Sequence, residues 1–194
     1  YWNGAYVWQG GYNFATDKWT HIAIVRDQDT GVFTIYINGN VMVVTENTGA
    51  ALSATVNPIG IGADYRPAPC FFEGTIADLR LWSDARTQDQ IKEDMYNTLT
   101  GNEEGLLANW KLDEGADATE FKDCSPNANH ATLESWSSGG DEPDIGDIEF
   151  TTDHLVGHKF DGDSYFGTAI PVGDEVNAFE FWMQVPADVE ADRM

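Results

Sequence analysis

The sequence predicts an all-β fold in which two antiparallel sheets stack face to face, with one short helix. Three observations predict it. Apolar and polar residues alternate with a period of two through Trp19–Asn38 and again through Gly74–Trp82. Gly- and Asn-containing turn signals separate the alternating runs. Only one stretch, opening at Thr87, carries a helix-start signal together with an apolar stripe at helical spacing.

The central alternating unit is WTHIAIVRDQDTGVFTIYIN. In its first run His21, Ala23 and Val25 face one way, and Thr20, Ile22, Ile24 and Arg26 the other. In its second run Phe33, Ile35 and Ile37 oppose Val32, Thr34 and Tyr36. The loop Asp27–Gly31 between them marks a β-hairpin. Asn38-Gly39-Asn40 then turns the chain into Val41–Thr45, because Asn and Gly tolerate positive φ. Three strands in series make an antiparallel meander.

Asn57–Asp64 reads as a short strand with alternating glycines. Arg66-Pro67-Ala68-Pro69 is a stiff loop. In Gly74–Trp82 simple alternation puts Ile76, Asp78, Arg80 and Trp82 on one face, with Asp78 and Arg80 as an ion pair on a solvated sheet surface. Thr87 and Gln90 form a capping box, Asp89 suits the positive end of the helix dipole, and Ile91 and Met95 give a narrow apolar stripe. The helix is expected to end near Tyr96 or Asn97. Ser137–Asp147 is a flexible-loop candidate, and Lys159–Phe166 and Ala178–Val185 read as strands.

Several of these segments carry a resemblance. Trp19–Asp27 with Gly31–Gly39 is similar to the central hairpin of the laminin-G-like, concanavalin A-like jelly roll. Phe72–Trp82 resembles that family's closing strand, and Phe160–Phe166 one of its opening strands. Leu99–Gly115 resembles the joint between successive laminin-G-like repeats. Asp123–His130 resembles the family's Asp-Ser-Gly-Asn-Gly-Asn loop, with Pro126 and Ala128 where glycines are usual. The resemblance implies a two-sheet antiparallel jelly-roll sandwich. On this reading residues 1–97 form the second half of one jelly roll plus the helix, and residues 98–194 the first half of another. The halves close on each other as one permuted sandwich, complete halves of neighbouring chains, or are a cut from a tandem array.

Composition bounds the function. The 194 residues include 33 acidic and 10 basic ones, for a net charge of −23. That excludes nucleic acid and anionic membrane surfaces as natural partners. No apolar run is long enough to span a membrane, so no membrane insertion is expected. Without a methionine start the chain reads as a piece of a larger or processed protein. Cys70 and Cys124 are the only cysteines and allow one disulfide, with two separate buried thiols as the alternative.

Calcium is the candidate cofactor. It takes six to eight oxygen ligands, and two clusters offer them: Asp123, Asn127 and Asn129 in one loop, and Asp161 and Asp163 around Gly162. The resemblance implies a calcium at the loop rim, with Asp123 and Asn129 as the preferred ligands. The competing reading is turn-forming Asp and Asn that bond their own backbone. The aromatic N-terminal stretch, with Trp2, Tyr6, Trp8 and Tyr12, offers rings that stack on sugars or pack into a sheet core. Glycoside hydrolysis requires two carboxylates flanking the bond, ~5–5.5 Å or ~6.5–9.5 Å apart. No strand carries the glucanase pattern, and Asp144–Glu149 reads as solvated loop. His21 reads as a packed histidine inside its strand. The expected function is therefore non-enzymatic carbohydrate binding or adhesion outside the cell or at its surface. The expected partners are a glycan or a cell-surface protein, with neighbouring repeats or subunits. The alternative is a structural repeat in a surface filament or adhesin that binds no sugar.

Overall fold

A computed structural model describes residues 12–45, 58–62, 72–115, 118–135, 158–161, 164–171 and 176–187. Two antiparallel sheets and one short helix make up the described residues. One sheet has seven strands: β1 (Thr20–Arg26), β2 (Phe33–Ile37), β3 (Asn40–Thr45), β5 (Glu73–Trp82), β6 (Leu106–Trp110), β9 (His158–Asp161) and β11 (Ala178–Gln184). Their order is β3-β2-β1-β11-β5-β6, with β9 also pairing β5. The other sheet has four strands, β4 (Pro58–Ile61), β7 (Glu120–Phe121), β8 (Ala131–Ser135) and β10 (Ser164–Pro171), in the order β4-β10-β8-β7. This is the sandwich the alternation predicts. Strands from before and after residue 97 share the larger sheet, where β1 pairs β11 and β5 pairs β6.

Local sequence sets the meander. Asn38 and Gly39 both adopt positive φ, 49° and 70°, as a two-residue hairpin turn requires, and Ile37 pairs with Asn40 across it. At the other end Asp27 caps its own loop. Its Oδ1 accepts from the backbone N–H groups of Asp29 and Thr30, and Gly31, at φ 67°, donates back to the Asp27 carbonyl. Register then puts Ile22 opposite Ile37 and Ile24 opposite Ile35 on one face. A cluster of Ile22, Ile35, Ile37, Met183 and Val185 results. Tyr12 and Phe14 pack against it from the edge.

The main core lies between the sheets. Ile61, Ile76, Leu79, Leu81, Ala108, Trp110, Phe121 and Ala131 meet there, with Phe179 and Phe181 packed against them. Trp110 is fully buried, and its indole N–H donates to the Asn129 carbonyl at 2.9 Å, so no polar atom is stranded.

The phase of β5 differs from simple alternation. Asp78 has φ 48°, and the pairing with β11 shifts register between Glu180 and Trp182, so two β5 residues lie opposite one. The bulge flips the strand's phase. Ile76, Leu79 and Leu81 point into the inter-sheet core, while Ala77 and Trp82 join clusters on the other face. Ile76 and Trp82 are therefore not on one face. Nor is the Asp78–Arg80 pair on a solvated surface, because Arg80 is only 1% exposed.

Helix α1 (Gln88–Asp94) covers that outer face. The capping box forms as read: Thr87 Oγ1 accepts from Gln90 N, and Gln90 Oε1 accepts from Thr87 N. The helix ends slightly earlier than expected, with Met95 as C-cap. Seven residues are too few for a helix to stand alone, and burial of Ile91 and Met95 together with hydrogen bonds from Arg80 and Trp182 to its C-terminal end ties it to the sheet. The stretch Lys159–Phe166 is two strands rather than one. β9 joins the seven-stranded sheet through β5, and β10 joins the four-stranded sheet through β4 and β8. Period-two alternation alone does not tell a strand from two strands that change sheets. Ser137–Asp147 and Arg66–Pro69 lie outside the described residues.

Trp110→Ala removes the largest buried side chain of the inter-sheet core. Urea unfolding is expected to show a loss of about 3–5 kcal/mol, whereas truncation of the exposed Met42 changes the midpoint little.

Candidate functional site

Two polar constellations stand out among the described residues. The first is a loop at the end of the sandwich, Phe121–His130. Asp123 reaches it from an isolated bridge to Trp110 and is 2% exposed. Its Oδ1 accepts from the backbone N–H groups of Asn109 and Ser125, both within 2.9 Å. Its Oδ2 accepts from Ser125 Oγ at 2.7 Å and from the Asn129 N–H at 2.8 Å. The side-chain amides of Asn127 and Asn129 donate to the Leu107 carbonyl. His130 Nδ1 accepts from Asp123 N. Ala128 holds φ 52° where the resembled loop has glycine, so the backbone keeps a left-handed turn without the residue that adopts it freely.

Asp123, Asn127 and Asn129 share this loop, and the Asp123 carboxylate and both Nδ2 groups are bonded to protein partners. A carboxylate offers about four lone-pair sites, and Asp123 fills all four with donors of its own chain. The Asp123 loop in this arrangement does not fit a calcium site, which needs those oxygens turned toward the ion. Among the described residues no group of three or more His, Cys, Asp or Glu side chains converges on a point. The side chain of Asp161 and all of Asp163 lie outside the described residues, as do Trp2, Tyr6, Trp8 and Cys70. Cys124 carries a free, half-buried thiol, and burial raises its pKa. Tyr12 meets Phe14 edge-on at 4.7 Å and packs against the meander cluster.

The second constellation lies between the seven-stranded sheet and α1. Arg80 donates through Nε and Nη2 to both oxygens of Asp78, through Nη1 to the Asp94 carbonyl at 2.9 Å, and through Nη2 to the Asn97 carbonyl at 2.7 Å. Trp182 Nε1 donates to the Met95 carbonyl at 3.0 Å. The sheet thus satisfies carbonyls at the C-terminal end of α1 that the helix leaves open, and the guanidinium suits the negative end of its dipole. Arg86 pairs with Asp94, lies 4.0 Å over the Trp82 ring, and places Nε 3.6 Å from Glu180. Asn109 Nδ2 donates to Asp78 Oδ1 at 2.8 Å, which joins this network to the Asp123 loop.

Glu180 and His21 occupy the middle of it. Both are buried, with His21 Nε2 3.7 Å from Glu180 Oε2, and neither Glu180 oxygen nor His21 Nδ1 has a hydrogen-bond partner. Burial pushes the Glu180 pKa up to about 7, against the opposing pull of Arg86 and Arg80. Burial, aided by Arg80, pushes the His21 pKa down to about 4. The uncharged form of each is therefore favoured. A carboxyl near neutrality beside a histidine has the acidity of a general acid, but Glu180 is 0% exposed and roofed by α1, so no substrate atom reaches it. This cluster holds the fold. Sequence reading placed the packed His21 and missed Glu180. The available signal was a lone carboxylate inside the apolar run Ala178–Met183.

Large apolar side chains exposed among the described residues are Val41, Met42 and Tyr96. Tyr96 is 73% exposed, just past the end of α1, and its ring tilts 44° against Trp182 at 5.5 Å. Trp182 is fixed by its hydrogen bond to Met95, and half-buried Trp19 packs beside it.

Residues 1–92 match the sequence model of a laminin G type described as the concanavalin A-like lectin/glucanases superfamily, and the rest of the chain is unassigned. No curated protein and no solved structure gives a significant match. Among the described residues no helix is long and apolar enough to cross a membrane.

The two buried groups titrate in opposition. Glu180 binds its proton more tightly folded than unfolded, so its contribution to stability falls as pH rises from 4.5 to about 7. His21 binds its proton less tightly folded, so its contribution falls as pH drops from 6.5 to about 4. From 4.5 to 6.5 the slopes offset. Urea midpoints across this window are expected to rise with pH in Glu180→Gln relative to the unsubstituted chain, and to fall with pH in His21→Gln. Parallel profiles for all three would contradict these protonation states.

Proposed function

We propose that the chain is a non-enzymatic carbohydrate-binding module of an extracellular or cell-surface protein. The family description names both lectins and glucanases, and the placement of the acids favours the former. On the seven-stranded sheet the described inter-sheet face is apolar, while Asp78 and Glu180 lie on the opposite face, beneath α1 and beside Arg80 and Arg86. Neither of these two acids faces the inter-sheet surface, where it could flank a glycosidic bond. That observation carries the reading.

Tyr96 is the proposed contact. Sugar rings present an apolar C–H face that stacks on an aromatic ring, and a ring backed by an immobilised tryptophan loses little entropy on binding. The exposed Glu93 carboxylate and Asn97 amide one residue or one turn away offer partners for hydroxyl groups. The net charge of −23 favours neutral or cationic glycans over sulfated or sialylated ones.

One observation favours a second reading, an assembling structural repeat. β3 is an edge strand among the described residues, and it exposes Val41 and Met42. Such an edge can add a strand from a neighbour.

Glycan-array binding separates the two. The module reading expects retention of a neutral glycan that Tyr96→Ala weakens at least about tenfold, or about 1.4 kcal/mol, with an unchanged melting temperature. Absence of binding across the array, together with concentration-dependent polymers that Val41→Lys dissolves, would instead establish the assembling repeat.

A further inference from the structure

We infer that the Asp123 carboxylate is the built-in ion of its loop, closing residues 123–130 onto β6 and β8 without a bound cation. A rim loop held by calcium gathers several acidic oxygens around the ion and leaves the ion to tie the segments together. Here one buried carboxylate does the tying. It joins the backbone of Asn109 at β6, of Ser125 at the loop's start and of Asn129 before β8, and adds the Ser125 hydroxyl.

The surroundings complete the closure from the other side. Ser125 Oγ, Asn127 Nδ2 and Asn129 Nδ2 reach the Leu107 carbonyl, and Cys124 N donates to the Asn109 carbonyl at 2.8 Å. Gly101 lies directly against this loop, where a Cβ would collide with the Cys124 carbonyl. Both Asp123 oxygens and the Nδ2 groups of Asn127 and Asn129 are thus engaged with the protein itself. The four donors that face the carboxylate are all supplied by the chain itself.

Hydrogen exchange of the unsubstituted chain, in millimolar calcium chloride and in EDTA, reads the loop directly. The Ser125 and Asn129 amides are expected to be equally protected in both. Protection that appears only with calcium would overturn the inference. Thermal melts of the unsubstituted chain and of Asp123→Asn, each with and without calcium, give an independent reading. Asp123→Asn is expected to lower the melting temperature by several degrees to the same extent in both buffers. A calcium-induced rise that Asp123→Asn abolishes would overturn the inference. A rise of equal size in both proteins would place the ion away from this loop and uphold it. These readouts do not depend on glycan binding, so the inference and the binding reading fail separately.

Discussion

The fork between Arg80 and Asp78 is the interaction on which the rest of the structure depends. Strand β5 pairs β11 along one side and β6 and β9 along the other. Asp78 bulges in its middle, at φ 48°, and so turns Leu79 and Leu81 toward the second sheet and Arg80 toward α1. That change of phase brings Ile76 onto the same apolar face as Leu79 and Leu81. Asp78 neutralises the buried guanidinium, and the guanidinium's remaining donors hold the end of the helix. A buried arginine is tolerated only when its donors are matched in this way.

From that fork a chain of hydrogen bonds and ion pairs runs through the described residues. Asn109 donates through its side-chain amide to Asp78 and through its backbone N–H to the Asp123 carboxylate, and Asp123 gathers the rim loop. On the other side Arg80 leads to Asp94, Arg86 and the buried Glu180. The network consumes carboxylates that a hydrolase or a metal site would present to a ligand. It leaves aromatic and apolar surface, at Tyr96 and along β3, as what the described residues offer to a partner. That distribution supports the proposed binding role.

The features legible in the sequence were those set by local chemistry. Asn38-Gly39 dictates its turn because both residues accept positive φ, and Thr87 with Gln90 dictates the helix start. His21 read as a packed histidine because it interrupts an apolar strand beside Trp19. The bulge at Asp78 left no such trace: an aspartate in an alternating strand looks the same whether or not it is bulged. The burial of Arg80 was invisible for the same reason, because the covering helix comes from later in the chain. Within the candidate site, Asp123, Asn127 and Asn129 are close in sequence and lie in one loop. The sequence could not show that Asn109, fourteen residues earlier, donates into the same carboxylate. The charge state of Glu180 depends on burial, which the apolar run around it signals, and on Arg86 and Arg80, which come from far along the chain.

Hydrogen exchange on Arg80→Met tests the central role of the fork most directly. The account predicts that the amides of α1, including those of Ile91 and Met95, lose most of their protection, while Ala108 and Trp110 in the inter-sheet core keep theirs. Helix amides that exchange as slowly as in the unsubstituted chain would contradict it, because apolar burial alone would then be holding the helix in place.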